Sequence, residues 1–352
     1  MVALAFCAAL LFAMNIGASG AAASMGVAYA SGAIKKKWVA LLICGAAIIA
    51  GSVFGGQKVT KTISSGIIPE DIFTVKIVII TLLAATIALF TANILGIPLS
   101  TSEITIGAVA GVGIAYQVLY VEKLLFIVAF WIITPVVAFS ITYVAGKLIH
   151  RLNSKYPDLE KGKWKPIFTI LVIVTGFFEA YSAGMKNVAN AVAPLVGAHL
   201  LSVETGLLLG GIFVALGAFL LGSRVLETNG KKITSVSLIE GISVSATSSF
   251  LVITAALFGI PLPIAQITSS SIIGMGSAQQ GKKVFQKRVV SQMLKVWFVA
   301  PFLSLLVSYT CVKLLLESDL YSIFIVGAGI IATLGVISLL KHTKQEVGGI
   351  SR

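Results

Sequence analysis

The chain has 352 residues, of which 57% are hydrophobic and 11% are charged, and its mean hydropathy is +1.02. A soluble globular domain carries roughly 25% charged residues, so this composition excludes one and indicates a membrane protein. The net charge of +13 would suit a nucleic-acid-binding protein, but the cations lie in short clusters at the ends of apolar runs. Such clusters are typical of membrane-protein loops, so we expect no nucleic-acid partner.

The apolar runs, taken in chain order, predict an all-α polytopic protein that crosses the cell membrane about ten to twelve times. Runs that reach or approach the length of a span, about 20 residues, lie at 38–54, 72–95, 123–146, 205–222, 290–315 and 321–341. Two shorter segments rich in Gly and Ser, 100–119 and 264–278, predict half-helices or re-entrant segments. The loops between these elements are too short to form a sizeable soluble domain.

Polar sequence broken by glycines interrupts the apolar pattern at 13–26 (AMNIGASGAAASMG) and at 183–197 (AGMKNVANAVAPLVG). The bilayer core has no water to satisfy polar groups, so such sequence is stable at membrane depth only where it lines a cavity enclosed by protein. Paired interruptions in two halves of a chain are typical of a transporter binding site. We therefore interpret the chain as a carrier.

The similarity of the two halves extends beyond these motifs. LGIPLSTSEITIGAVAGVG at 95–113 corresponds to FGIPLPIAQITSSSIIGMG at 258–276. The correspondence pairs Pro98 with Pro261, Glu103 with Gln266, Thr105 with Thr268 and Gly111 with Gly274. The predicted organisation is a first transmembrane repeat at 1–145, a basic cytoplasmic linker at 146–165, a second repeat at 166–315, and a C-terminal helix and tail at 316–352.

Loop charge indicates that the two repeats have opposite orientations. After the first polar motif, repeat one carries three lysines at 35–37, whereas repeat two has HLLSVETG without Lys or Arg. After the proline motif the bias reverses, since repeat one has Lys123 alone and repeat two has Lys282, Lys283, Lys287 and Arg288. Because basic loops stay in the cytoplasm, equivalent loops would face opposite sides of the membrane, and we expect inverted repeats.

The segment PLSTSEIT at 98–105 predicts a helix start that binds an anion. Proline suits the first turn of a helix, and the following hydroxyl groups lie beside the free backbone N–H groups of that turn. The second half has a comparable hydroxyl cluster, ITSSS at 267–271. Two such helix starts that meet from opposite repeats would surround a tetrahedral oxyanion with neutral donors, although either cluster alone could serve helix packing.

These motifs resemble those of the inorganic phosphate transporter (PiT) family, whose repeats carry Gly-x-Asn-Asp-x-x-Asn-Ala and Pro-x-Ser-Thr-Thr signatures. The resemblance covers nearly the whole chain and points to the bacterial sulfate permease branch of the family. It implies symport of a tetrahedral oxyanion with Na⁺ or H⁺, and a homodimer.

The chain departs from the family signature at its charged positions. Where the family has Asn-Asp, repeat one has Asn15 followed by Ile16, and repeat two has Lys186 followed by Asn187. Both carboxylates are therefore replaced, and a cation is added. The substrate-binding residues that the motifs predict are Asn15, Ser19, Ser100, Thr101, Ser102, Lys186, Asn187, Asn190, Thr268, Ser269 and Ser270.

These departures favour sulfate over phosphate. Phosphate keeps a proton near neutral pH and benefits from a carboxylate acceptor, whereas sulfate has no proton and needs donors only. A lysine buried in a membrane is costly without a counter-charge, which a bound dianion would supply to Lys186. Lys186 could instead pair with Glu179 or extend to the membrane interface.

Import of a dianion into a cell held at about −150 mV costs about 7 kcal/mol, so the transporter needs a coupling ion. Replacement of the aspartates removes the oxygen ligands that Na⁺ prefers, so we expect proton symport. Glu103 is the first candidate for the proton carrier, followed by Glu179 and Glu240. Burial and a neighbouring dianion both favour a protonated carboxyl group. Glu103 could instead be paired structurally with Lys186.

Other oxyanions, namely phosphate, thiosulfate and molybdate, are alternatives, and so is an ion channel. A membrane-embedded enzyme is less favoured, because the chain lacks HExxH and GxSxG motifs and the matching pair of polar motifs suits transport. GSAQQGKK at 276–283 ends in Lys where a P-loop needs Ser or Thr. Cysteine and histidine spacing indicates neither a metal site nor a disulfide, and no cofactor is expected.

Overall fold

The computed structural model describes residues 1–94, 100–223, 226, 237–286, 288–319, 321, 324 and 327. Every regular element in this part of the chain is helical, which confirms the predicted all-α class. Pro98, most of the segment at 222–236 and nearly all of the predicted final helix at 321–341 lie outside the described residues.

The described α-helices are α1 (Val2–Ile16), α2 (Gly26–Ala30), α3 (Lys37–Gly55), α4 (Gln57–Ser65), α5 (Val75–Ile94), α6 (Thr101–Ala115), α7 (Val121–Lys155), α8 (Lys165–Gly197), α9 (Val203–Leu221), α10 (Leu238–Leu257), α11 (Ile264–Gln280) and α12 (Arg288–Leu315). Helix α7 continues well past the predicted run at 123–146, and its last turns are largely exposed.

Among the described residues, six helical segments are long and apolar enough to cross a membrane: Val2–Ala21, Lys37–Gly55, Val121–Lys155, Gly162–Gly197, Val203–Leu221 and Leu238–Leu257. Large apolar side chains such as Leu125, Ile132 and Phe302 are exposed on outer faces, as lipid contact requires. The chain is therefore a multi-pass membrane protein.

Helices α6 and α11 coincide with the predicted half-helices. Helix α6 has 15 residues and α11 has 17, so at 1.5 Å per residue neither spans the roughly 30 Å hydrocarbon core of a bilayer. Both are almost wholly buried, and both place their first turns inside the protein. Polar residues in these turns are therefore shielded from lipid.

The two polar motifs fold differently. The first leaves the α-helix for a π-helical turn at Gly17–Ala21 and a 3₁₀ turn at Ala22–Met25, whereas the second runs unbroken through α8. Ser19 explains part of this difference, because its hydroxyl donates to the carbonyls of Asn15 and Ile16 in its own helix. The amide side chains of the second motif bind a neighbouring helix instead, which leaves the backbone ladder of α8 intact.

The helices pack in pairs that combine the two halves of the chain: α1 with α9, α3 with α8, α6 with α12, and α7 with α11. Glycines allow close approach of the backbones in all four pairs, and two examples illustrate this. A Cβ at Gly51 would overlap the carbonyl of Tyr181 across α3 and α8, and one at Gly217 would overlap that of Met14 across α1 and α9. This small-residue packing is typical of membrane helices.

Candidate functional site

The first turn of α6 meets the middle of α8 inside the protein. Thr101 Oγ1 donates a hydrogen bond of 2.8 Å to Asn187 Oδ1, and Asn190 Nδ2 donates to Thr101 Oγ1 at 3.0 Å. Asn190 Nδ2 also donates to Ser102 Oγ at 3.2 Å. All four side chains are buried. The structure therefore brings the predicted proline motif of the first half against the polar motif of the second half.

Lys186 lies in this contact and is fully buried. Its Nζ donates to Ser102 Oγ at 3.2 Å, and Asn190, one helical turn further along α8, reaches the same hydroxyl. The ion pairs within 4.0 Å among the described residues are Lys161 with Asp158 and Lys313 with Glu317. No carboxylate oxygen in this part of the chain therefore approaches Lys186 Nζ that closely.

The N-terminus of α6 adds to the positive character of this region. Ser100 is the N-cap residue, and its side chain makes no capping hydrogen bond. The first-turn N–H groups of a helix have no partner within the helix, and the helix dipole places its positive end there. A buried ammonium group beside a helix N-terminus is a strong anion site.

Several buried polar atoms near this contact have no hydrogen-bond partner among the described residues: Ser100 Oγ, Thr105 Oγ1, Asn187 Nδ2, Asn190 Oδ1 and Glu103 Oε2. An unsatisfied buried polar group costs about 1–3 kcal/mol, so such a cluster favours a polar ligand. The hydroxyl of Ser100 and the amide of Asn187 can both donate to an oxyanion.

The helix break of the first motif borders the same region. A Cβ built on Gly20 would lie 3.9 Å from Asn187 Nδ2, so this part of the break faces the second motif. Asn15 and Ser19 are half-buried. The Cys44 thiol donates to the carbonyl of Ala21 at 3.1 Å, which satisfies a carbonyl near the end of the break.

The hydroxyl cluster of α11 lies beyond its first turn. Thr268 Oγ1 donates a hydrogen bond of 2.8 Å to Glu179 Oε1. Glu179 is the carboxylate that the sequence indicated as an alternative partner of Lys186. Ser269 and Ser270 are buried. The structure thus joins Thr268 to α8, and the hydroxyl cluster is not at the helix start that the sequence suggested.

The three candidate proton carriers have different environments. Glu103 lies in the first turn of α6, where Gln266 Nε2 donates to its Oε1. Glu179 lies on α8 and accepts from Thr268. Glu240 forms a capping box with Ser237 at the start of α10, and its other oxygen accepts from Gln279.

Gln266 was not among the predicted site residues. Its alignment with Glu103 in the other half of the sequence was the available signal. No group of three or more His, Cys, Asp or Glu side chains suited to a metal ion occurs among the residues that the structure describes.

The half-length helices around a buried polar site define a membrane transport protein. The model of the phosphate transporter family matches residues 16–308, and the chain belongs to that family.

Two relatives and one solved structure are similar to this chain. Sulfate permease CysP of Bacillus subtilis (strain 168) is 59% identical over 96% of this chain and 94% of its own length. Sodium-dependent phosphate transporter 1-A of Xenopus laevis is 30% identical over 43% of this chain and 24% of its own length. A solved structure described as the sodium-dependent phosphate transporter has a TM-score of 0.79 and 23% identity, covering 89% of this chain and 98% of that chain. The last comparison supports the fold.

Proposed function

We propose that this protein is a secondary active transporter that imports sulfate across the cell membrane by proton symport. The observation that carries the proposal is the environment of Lys186, a fully buried ammonium group surrounded by hydroxyl and amide groups, with no carboxylate oxygen within 4.0 Å among the described residues. The proposed primary ligands are Ser100, Thr101, Ser102, Lys186, Asn187 and Asn190. Asn15, Ser19, Thr268, Ser269 and Ser270 complete the proposed polar path.

The donor-rich site favours an anion without protons. Sulfate is a dianion that only accepts hydrogen bonds, and it would supply the counter-charge that Lys186 lacks. Hydrogenphosphate brings a hydroxyl group that needs an acceptor, and the signature carboxylates that could accept it are replaced here by Ile16 and Asn187. The 59% identity to a relative named sulfate permease supports the same choice.

Phosphate is the second candidate, because the matching family model and a relative carry phosphate in their names. Thiosulfate and molybdate have the same tetrahedral shape and charge as sulfate and belong to the same proposal. We propose transport and not catalysis, because the family to which the chain belongs is a transporter family.

We propose Glu103 as the proton carrier, with Glu179 next. Glu103 directly follows Ser102 in the chain and attracts Lys186 electrostatically, so its charge is coupled to the charge in the anion site. One of its oxygens has no hydrogen-bond partner in the part of the chain that the structure describes. Glu179 is buried seven residues before Lys186 on the same helix. Glu240 ranks last, because its oxygens bind Ser237 and Gln279 at a helix start.

Inverted repeats at 1–145 and 166–315, joined by the linker at 146–165, complete the proposal, with about ten to twelve spans and a homodimer. Matching glycine contacts support the repeats. Gly111 of α6 faces the Leu305 carbonyl and Ser308 of α12, and Gly274 of α11 faces the Phe139 carbonyl and Thr142 of α7. In both partner helices these residues follow an internal proline, Pro301 or Pro135, by four and seven positions.

Uptake of radiolabelled sulfate and phosphate by proteoliposomes tests the function. We expect sulfate uptake that an inward proton gradient drives and that an inward Na⁺ gradient does not. Phosphate uptake that survives excess sulfate would contradict the choice of anion. Sulfate uptake that follows Na⁺ and ignores the proton gradient would contradict the coupling.

A further inference from the structure

Glu103 and Gln266 come from equivalent positions of the two halves, and their side chains meet. Gln266 Nε2 donates to Glu103 Oε1 from the first turn of α11 to the first turn of α6. Both side chains are buried. The contact lies beside the proposed anion site, because Glu103 directly follows Ser102, which receives the hydrogen bond from Lys186.

We propose that Gln266 is a positioning residue that holds the Glu103 carboxylate away from Lys186 and so keeps the lysine available for the anion. This inference rests on the proposed function. Glu103 and Lys186 attract each other, yet their charged atoms are not within 4.0 Å, and Lys186 Nζ binds the Ser102 hydroxyl instead. Attraction between opposite charges is strong in a poorly solvated site, so a restraint on one partner is needed to prevent pairing.

The hydrogen bond from Gln266 is such a restraint, because the cavity beside Glu103 has few other polar groups that could bind the carboxylate. Both residues line a cavity of about 670 Å³ whose other walls are mainly apolar, including Trp131, Pro301 and Leu305. Within the described residues, Glu103 Oε2 has no partner, so the bond from Gln266 is the hydrogen bond that fixes the carboxylate.

An amide suits a carboxyl group that gains and loses a proton. Its N–H donates to a carboxylate, and after rotation its oxygen accepts from a protonated carboxyl group. Gln266 can therefore hold Glu103 in both protonation states. A charged lysine only donates hydrogen bonds and an ionised carboxylate only accepts them, so neither could do this without a change in its own charge. A leucine of similar size could hold it in neither state.

The test compares Gln266→Leu with wild type in anion exchange across proteoliposomes, with sulfate and phosphate each measured. We expect Gln266→Leu to raise the KM of the transported anion about tenfold or more, because the anion must then displace Glu103 from Lys186. Maximal exchange should change much less. In a Glu103→Gln background the same substitution should leave KM unchanged, because no carboxylate is left to pair with Lys186.

Gln279→Leu is the matched control, because it removes another glutamine–glutamate bond from the same helix. It should leave KM unchanged.

An unchanged KM in Gln266→Leu, or an equal rise in both backgrounds, would overturn the positioning role. A structure of Gln266→Leu gives a test that needs no transport: Lys186 Nζ should lie within 4 Å of Glu103, and a larger distance would also overturn the role. If wild type transports phosphate and not sulfate, the proposed substrate fails while this comparison still decides the role of Gln266.

Discussion

Lys186 is the residue of the proposed anion site that we expect a bound anion to stabilise most. Its ammonium group is fully buried, and its hydrogen-bond partner among the described residues is a single hydroxyl, Ser102 Oγ at 3.2 Å. Removing an ion from water costs several kcal/mol, and one neutral hydrogen bond does not offset that cost. We therefore expect the unbound site to be destabilised, and a dianion that binds there should stabilise the protein.

Lys186→Ala should abolish sulfate binding, because the substitution removes the only full positive charge proposed to contact the anion. Binding of radiolabelled sulfate to the purified protein measures the effect. Thermal unfolding with and without sulfate gives a second measurement, since sulfate should stabilise wild type and not the variant. Lys161→Ala, at an exposed lysine paired with Asp158, is the control. Wild-type affinity in Lys186→Ala would show that Lys186 has only a structural role.

Glu103→Gln should block accumulation driven by a proton gradient more than it blocks sulfate exchange. The amide keeps the size of the side chain and can still bond to Gln266, but it cannot carry a proton. Uptake against a concentration gradient, compared with exchange at equal sulfate on both sides, separates the two effects. Undiminished accumulation would transfer the coupling role to Glu179, where Glu179→Gln should then show the same pattern.

At the scale of single elements, the start of α10 shows how acidic residues at a membrane boundary can be structural. Ser237 and Glu240 form a reciprocal capping box, and Glu160 accepts from the backbone N–H groups of Leu238 at 3.2 Å and Ile239 at 3.3 Å. Two carboxylates therefore satisfy donors that α10 would otherwise leave unpaired. Glu160 belongs to the predicted linker, so these hydrogen bonds also connect the linker to α10.

Ser237→Ala should lower the stability of the protein by about 1 kcal/mol, the usual cost of losing an N-cap side chain. Thermal unfolding in detergent measures this loss, and proton-driven sulfate uptake should persist in the folded fraction. Glu240→Gln should behave in the same way if Glu240 serves the helix start. Loss of accumulation in Glu240→Gln with normal exchange would instead make Glu240 a proton carrier.

The sequence predicted the elements better than the contacts between them. Composition and run length are enough to predict α3, α5, α9 and the two half-helices, because a membrane segment is defined by its own residues. The path of α8 through the second polar motif was not predictable in this way. Polar residues within a helix are stable there because Thr101 and Ser102 of α6 bind them, and that is a tertiary contact.

At the scale of the whole molecule, contacts between helices are again the part of the site that the sequence could not predict. The motifs predicted one anion site with residues from the proline segment and from the second polar motif, and the structure brings these residues together. The partners of each carboxylate depend on how the two halves dock, so neither the Glu179–Thr268 bond nor the Glu103–Gln266 bond followed from spacing along the chain. The alignment of the two halves of the sequence was the feature that could have identified Gln266 as a partner of Glu103.

The proposed relation between the two halves also predicts paired effects of substitution. Gly111 and Gly274 occupy aligned positions, and a Cβ at either would overlap a backbone carbonyl and a hydroxyl group of the partner helix. Gly111→Ala and Gly274→Ala should therefore lower the unfolding temperature by similar amounts, because each pushes a half-helix away from its partner. Gly327→Ala is the control, since a Cβ there meets no atom of the described residues within 4 Å. Thermal unfolding of the three variants in one detergent makes the comparison, and a large loss at one glycine with none at the other would argue against equivalent roles for α6 and α11.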